Sequence, residues 1–165
     1  MILIIDDDQA IRVSLTILLK RSGYEPEAVA SPKEAMTIIR AVEPQLILMD
    51  MNFSLTTSGE EGLTLLKQVK LFRPDVPVLL MTAWGSIELA VKGMQLGAFD
   101  FVTKPWNNIL LLQRIETALE LTKAKNEEAS ESVKSTEDFD RSFIIGRSAA
   151  LESVLDFVRR VARTN

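Results

Sequence analysis

The chain begins with an apolar run that ends in three acids, Met1-Ile2-Leu3-Ile4-Ile5-Asp6-Asp7-Asp8. A second apolar run, Leu46–Met49, ends in Asp50, and two further runs end in Thr82 and in Lys104-Pro105. Runs without polar alternation are typical of parallel strands that are buried on both faces. The carboxyl ends of such strands share one edge of a sheet, where binding sites form. The sequence therefore predicts that acids, a hydroxyl and an amine meet at one edge.

Segments with helical spacing of apolar residues lie between the apolar runs. The predicted strands are Met1–Ile5, Tyr24–Ala30, Gln45–Asp50, Val76–Thr82 and Ala98–Thr103. The predicted helices begin near Asp8, Ser31, Gly62, Ser86 and Trp106, and the last one runs to about Lys125. Five alternating units require right-handed crossovers and helices on both faces of a parallel sheet, and they are too few for an eight-fold barrel. We therefore expect an α/β fold with a doubly wound five-stranded parallel sheet.

The composition changes at Asn126. Residues 126–140 carry six acids against Lys134 and show no apolar period, which is typical of a linker. Residues 141–165 carry five arginines against two acids, and helical spacing resumes. We predict a first domain over 1–122, an acidic linker over 123–141 that extends the last helix, and the opening fragment of a second domain over 142–165.

Composition also limits the function. The net charge of −4 and pI near 5.0 give no broad electrostatic footprint for nucleic acid. The absence of cysteine excludes disulfides and thiolate metal sites, and the absence of histidine means that this chain cannot itself donate a phosphoryl group from a phosphohistidine. No apolar run approaches membrane-spanning length, so we expect a cytoplasmic chain with no membrane contact.

The acidic cluster itself suggests chemistry. Asp6, Asp7 and Asp50 would repel one another unless a cation neutralises them, and carboxylate oxygens suit Mg²⁺. With the ion bound, Asp50 could act as a nucleophile and form an aspartyl phosphate. Lys104 and Thr82 could then neutralise and contact the remaining phosphoryl oxygens. Each of these residues alone has a plainer interpretation, as a helix cap, a strand-end threonine or a surface amine, but the set in this order indicates a phosphoacceptor site.

Four motifs carry a family resemblance: Ile4–Asp8, Leu48–Asn52, Leu80–Ala83 and Phe101–Pro105. With them, residues 1 to about 122 resemble the receiver domain of bacterial two-component response regulators. The resemblance implies a flavodoxin-like (CheY-like) fold with strand order 2-1-3-4-5 and a sensor histidine kinase as the partner. It implies a signalling switch rather than an enzyme.

The same resemblance assigns roles to single residues. Asp50 would be the phosphoacceptor. The Mg²⁺ ligands would be Asp6, Asp7, Asp50 and the main-chain carbonyl of Asn52, with Asp7 binding more directly than Asp6. Thr82 and Lys104 would sense the phosphoryl group, and the peptide bond between Lys104 and Pro105 would be cis. Phe101 would be a switch aromatic, for which simple core packing is an equal alternative.

Two departures from the family lie beside this site. Met51–Glu61 is longer than usual and lacks the usual proline, which suggests either a tolerated surface insertion or a loop that shields Asp50 and alters the phosphate lifetime. Trp84 stands where a small or polar residue is common, and packing on a neighbouring loop is favoured over a role above the acceptor. Ala83 is small, which leaves room for the phosphoryl group.

The tail has a resemblance of its own. Phe143–Leu151 and Val158–Ala162 are similar to the start of the AAA+ domain of NtrC-type activators, which act on sigma-54 RNA polymerase. The chain has no phosphate-binding Gly-x-x-x-x-Gly-Lys-Ser/Thr loop, so we expect no ATP hydrolysis, and DNA and polymerase would be bound only by domains absent from this chain. A seam of Leu112, Ile115, Leu119 and Thr122 suggests a homodimer through the last helix and linker.

Three other functions remain open from the residues alone. A flavodoxin-like FMN protein would share the sheet but would need a phosphate loop where Asp6-Asp7-Asp8 stands. A haloacid-dehalogenase-like phosphatase would use Asp6 as its nucleophile, with Asp8 completing an Asp-x-Asp motif. A receiver-like interaction module that works without phosphorylation is the third.

Overall fold

The structure is a computed structural model, and it describes residues 1–52, 60–82 and 87–138, with side chains up to Ala129. The strands are β1 (Ile2–Ile5), β2 (Pro26–Val29), β3 (Leu46–Asp50), β4 (Val78–Thr82) and β5 (Asp100–Thr103). The helices are α1 (Gln9–Arg21), α2 (Pro32–Ala41), α3 (Glu60–Phe72), α4 (Ile87–Gln95) and α5 (Asn108–Asp138).

The strands form one parallel sheet in the order β2-β1-β3-β4-β5. This confirms the doubly wound five-stranded sheet and the strand order that the family resemblance implies. The three central strands are buried along their whole length, which explains their uninterrupted apolar sequences. All strand carboxyl ends therefore lie along one edge of the sheet.

The core lies in two layers, one on each face of the sheet. On one face, Leu3, Ile47 and Leu80 pack with residues of α2 and α3. On the other face, Ile4 and Leu48 pack with residues of α1 and α5. Because successive side chains of a strand point to opposite faces, each apolar run contributes to both layers. Both layers are needed to fix the sheet, and so they fix the strand ends that carry the polar residues.

Local signals in the sequence set several helix ends. The Asp8 side chain accepts a hydrogen bond from the Ala10 amide at 2.9 Å and caps α1. At the start of α2, the Ser31 hydroxyl accepts a hydrogen bond from the Glu34 amide at 3.3 Å, and the Glu34 carboxylate accepts one from the Ala30 amide at 3.1 Å, one residue before the cap. Gly23 and Gly97 have φ values of +87° and +102° after α1 and α4, a conformation that glycine adopts without strain. The predicted cap at Ser86 lies outside the described residues.

Helix α5 differs most from its prediction. It begins at Asn108 rather than Trp106, because the Asn107 side chain accepts a hydrogen bond from the Ile109 amide at 2.9 Å and caps the helix there. It ends at Asp138 rather than near Lys125. The sequence beyond Lys125 lacks apolar period, and the helix continues into the stretch that the sequence analysis assigns to a linker extending the last helix. Strands β2, β4 and β5 are shorter than predicted by two or more residues.

The chain divides into two units after Asn126. The first unit contains the whole sheet and the helices around it. The assignments of 123–141 as a linker and of 142–165 as the fragment of an AAA+ domain stay predictions, and most of these residues lie outside the described part. Among the described residues, no helix is long and apolar enough to cross a bilayer.

Candidate phosphoacceptor site

The strand ends bring the predicted polar residues together. Asp6 follows β1, Asp50 ends β3, Thr82 ends β4 and Lys104 follows β5. Asp6, Asp50 and Thr82 have exposed fractions of 0, 4 and 1%, so they are the buried polar residues in the described part of the chain. Asp7, which follows Asp6, is exposed. Polar side chains buried to this degree need partners or a ligand.

Lys104 connects three of these strand ends. Its ammonium donates to Asp6 Oδ2 at 2.8 Å and lies 3.3 Å from Asp50 Oδ1. Its backbone amide donates to the Thr82 carbonyl at 2.7 Å, which fixes the start of the Lys104 side chain beside β4. The peptide bond between Lys104 and Pro105 is cis, as the resemblance implies. The lysine therefore faces the carboxylates and not the solvent.

The pKa values of Asp50 and Lys104 are both shifted by their surroundings. Burial, and after it the nearby Asp6 charge, raise the pKa of Asp50 from 3.8 to a net value of about 6, while Lys104 and the Asn52 amide act in the opposite direction. Burial lowers the pKa of Lys104, but the hydrogen bond to Asp6 and the charges of Asp50 and Asp6 outweigh this, so its net pKa is raised. Lys104 is thus charged at neutral pH, and it compensates only part of the negative charge beside it.

The remaining negative charge and the donor atoms fit a hard cation. Asp6, Asp7 and Asp50 each offer one oxygen, and these oxygens all lie within 4.8 Å of one another. Both oxygens of Asp6 already accept hydrogen bonds, from the Asp8 amide at 2.9 Å and from Lys104. Asp7 is exposed and so can turn an oxygen toward an ion. The cluster can hold a cation that prefers oxygen ligands.

The chain beyond Asp50 is held close to the site. The Met51 amide donates to the Met81 carbonyl at 3.1 Å, and the Asn52 amide donates to Asp50 Oδ1 at 3.3 Å. The Asn52 side-chain Oδ1 is buried and has no hydrogen-bond partner among the residues that the structure describes. A buried acceptor without a partner is unusual in a folded protein, and a ligand or water at the site would satisfy it.

Phe101 lies on β5, three residues before Lys104. Its side chain is half-buried against the core layer under α2 and α3, which agrees with the packing alternative. Its backbone amide donates to Asp100 Oδ1 at 2.8 Å, and its carbonyl accepts from Arg114 at 2.8 Å. Its role as a switch residue stays a prediction.

Arg12 is a site residue that the sequence analysis missed. Its guanidinium donates to the main-chain carbonyl of Asp6 at 2.8 Å and so holds the loop between β1 and α1. The only signal in the sequence is a basic residue in the helix that follows the acidic triplet. Such a residue is far more often a solvated arginine, and so the pattern alone could not assign it.

Three features near the site lie outside the described residues: the long segment 53–59, Trp84 and Ala83. The hypotheses that the segment shields Asp50 and that Trp84 packs on a loop stay hypotheses.

The fold and the site together define a class of protein: a doubly wound α/β domain with a buried carboxylate, a charged lysine and a cluster of three acids at the carboxyl edge of its sheet. The sequence profile of the response regulator receiver domain matches residues 2–116. The chain belongs to the response regulator receiver domain family.

Individual relatives agree with this assignment. The nitrogen assimilation regulatory protein NtrX of Azorhizobium caulinodans is 34% identical over 99% of this chain and 35% of its own length. The crystal structure of the receiver domain of NtrX from Brucella abortus has a TM-score of 0.68 and 32% identity, covering 73% of this chain and 98% of that one. The solution structure of the beryllofluoride-activated NtrC4 receiver domain dimer has a TM-score of 0.67 and 29% identity, covering 73% and 97%. The chain spans about a third of the length of the curated NtrX and NtrC relatives.

Proposed function

We propose that this chain is a phosphorylation-dependent signalling switch whose phosphoacceptor is Asp50. The observation that carries the proposal is the contact of the Lys104 ammonium with both Asp6 and Asp50. The ammonium is therefore close enough to Asp50 to neutralise the oxygens of a phosphoryl group attached to that residue. Family membership favours this function over the phosphatase and the flavodoxin, because receiver domains are signalling domains and not conventional catalysts.

The proposed reaction transfers a phosphoryl group from a phosphohistidine of a sensor kinase. A carboxylate oxygen of Asp50 attacks the phosphorus, the bond from phosphorus to the histidine nitrogen breaks, and the released imidazole takes up a proton. The Lys104 ammonium moves from Asp50 to a phosphoryl oxygen, and the Thr82 hydroxyl donates to another. The Asp50 pKa of about 6 leaves most of its carboxylate ionised at neutral pH, as a nucleophile requires.

The proposed cofactor is Mg²⁺. Asp6, Asp7, Asp50 and the Asn52 main-chain carbonyl would hold it, with Asp7 as the most direct carboxylate because both oxygens of Asp6 are already engaged. When bound, Mg²⁺ supplies charge neutralisation for the phosphoryl oxygens.

The test of this function is the intact mass of the chain after treatment with acetyl phosphate, with Mg²⁺ and with EDTA. We expect one phosphoryl adduct that forms with Mg²⁺ and not with EDTA. If the folded chain gains no adduct with Mg²⁺ or from a phosphohistidine donor, the phosphorylation-independent interaction module would replace this proposal.

The role of Asp7 can be tested against its neighbour. We expect Asp7→Asn to weaken Mg²⁺ binding by about 10-fold or more, because it removes the exposed carboxylate without disturbing a buried contact. Titration calorimetry with Mg²⁺ measures this directly. Asp8→Asn is the matched control, because Asp8 is also exposed and asparagine also caps helices. Equal Mg²⁺ affinity of the two variants would remove Asp7 from the ligand set.

The proposed output is control of a sigma-54-type ATPase and DNA-binding region outside this chain, with a homodimer through α5 and the linker. Ile115 is buried, and Leu112 and Leu119 pack against the core layer with α1, so this part of the seam docks on the domain itself. Of this seam, the part beyond Leu119 is left for pairing, where Leu121 is 56% exposed; Ile109 and Leu110 at the start of α5 are exposed as well. The similarity to a beryllofluoride-activated receiver dimer supports this proposal. An unchanged sedimentation coefficient with beryllofluoride, at concentrations where dimers form, would count against a large change of oligomeric state.

A further inference from the structure

Gly62, in the first turn of α3, lies directly against the backbone that leaves the phosphoacceptor. A Cβ atom at this position would lie 2.5 Å from the Met51 carbonyl oxygen, 2.7 Å from its Cα and 2.9 Å from its carbonyl carbon. All three atoms belong to the main chain, so no change of side-chain rotamer could relieve the overlap. The backbone of Gly62 has no left-handed φ, so glycine is required here for space and not for its conformation.

Met51 is also held from its other sides. Its side chain is fully buried in the core layer under α2 and α3, and its amide donates to the Met81 carbonyl of β4 at 3.1 Å. The backbone of Met51 therefore lies between β4 and the first turn of α3. A shift of Met51 away from α3 would distort this hydrogen bond to β4.

We propose that Gly62 is a positioning residue of the phosphoacceptor site, a role that rests on the proposed function of Asp50. The close packing of Gly62 in α3 against the Met51 backbone fixes the main-chain conformation from Asp50 to Asn52. That conformation determines where the Asn52 carbonyl, a proposed cation ligand, lies relative to the Asp50 carboxylate. It also determines the hydrogen bond of 3.3 Å from the Asn52 amide to Asp50 Oδ1.

The chain offers a matched control in Gly93 of α4. Gly93 is also a buried helical glycine, and α3 and α4 pack against each other. A Cβ at Gly93 would meet Leu80 Cδ1, which is the end of a flexible side chain and not backbone. Alanine has a higher helix propensity than glycine, and this difference affects both positions in the same way. The two substitutions therefore differ mainly in whether the added methyl group pushes on the backbone of the site.

The experiment compares wild type, Gly62→Ala and Gly93→Ala by circular dichroism, by calorimetric titration with Mg²⁺, and by the rate of adduct formation from acetyl phosphate at several Mg²⁺ concentrations. We expect Gly62→Ala to fold and to bind Mg²⁺ about 10–100-fold more weakly. This is the typical loss when a residue that positions a metal ligand, without itself binding the metal, is changed. Its adduct should form slowly at low Mg²⁺ and faster as Mg²⁺ is raised. Gly93→Ala should stay within about twofold of wild type in both measurements, because it leaves the metal ligands in place.

The outcomes separate this inference from the function on which it rests. If wild type itself binds no Mg²⁺ and gains no adduct, the proposed function fails. If wild type does both and folded Gly62→Ala matches it, only the positioning role is overturned. A Gly62→Ala chain that stays unfolded even in trimethylamine N-oxide, which favours compact states, would also overturn the inference, because it would assign the contact to folding.

Discussion

Asp50→Asn should gain no phosphoryl adduct under conditions in which the wild-type chain gains one. An amide oxygen is a much weaker nucleophile than a carboxylate, and Asp6, the other buried acid, has both oxygens engaged in hydrogen bonds. The measurement is the intact mass after acetyl phosphate and Mg²⁺. Asp75→Asn, which alters an exposed acid before the amino end of β4, opposite the end that carries Thr82, is the control and should be labelled like wild type. An adduct on Asp50→Asn would place the acceptor elsewhere.

The same variant should be more stable than wild type when no cation is present. Burial and the Asp6 charge disfavour the ionised form of Asp50, whose pKa is raised from 3.8 to about 6. Because the folded chain holds this proton more tightly than the unfolded chain, stability from this group is present below pH 4 and is lost as pH rises through about 6. Urea unfolding in EDTA at pH 4 to 7 measures this loss, and Asp50→Asn should lack it. An equal pH dependence in both chains would contradict the raised pKa.

Lys104→Ala is the second change with a large expected effect. It leaves Asp6 and Asp50 buried beside each other without their cation, and removal of one partner from a buried ion pair typically costs about 3–5 kcal/mol. We expect the low end of this range in EDTA, because the Lys104 side chain itself is 21% exposed. The free energy of unfolding is measured with urea.

Mg²⁺ should reduce this loss, since a divalent ion can replace the missing positive charge beside the carboxylates. Lys67→Ala, an exposed substitution within α3, is the control and should change stability by less than about 0.5 kcal/mol with or without Mg²⁺. A Lys104→Ala chain as stable as wild type in EDTA would show that the two ion pairs contribute nothing to the fold. A loss that is identical with and without Mg²⁺ would separate the lysine from the cation site.

The sequence predicted the sheet and the site residues for the same physical reason. Apolar runs such as Leu46–Met49 are typical of strands buried on both faces, and parallel strands place their carboxyl ends together. The sequence alone therefore places Asp6, Asp50, Thr82 and Lys104 at one edge of the sheet. The resemblance added the strand order and the cis peptide at Pro105, which no periodicity contains.

Other features depend on tertiary distances that no local pattern encodes. The contact from Arg12 to the Asp6 carbonyl and the absence of space beside Gly62 follow from how α1 and α3 pack on the sheet. Apolar period placed the end of α5 near Lys125, whereas the helix runs to Asp138, through most of the stretch predicted as a linker that extends it. The helical spacing of Leu119 is compatible both with packing on its own domain and with pairing between two copies of the chain. The spacing alone therefore could not show that Leu119 packs on the domain.

The most direct test of the central claim is the position of the phosphoryl group itself. The labelled chain is reduced with borohydride, which converts an aspartyl phosphate to a stable alcohol, and the modified residue is located by peptide mass spectrometry. The account predicts a single modified position, Asp50, in the Mg²⁺-treated chain and none in EDTA. Modification at Asp6 would favour the phosphatase-type nucleophile and would contradict the account.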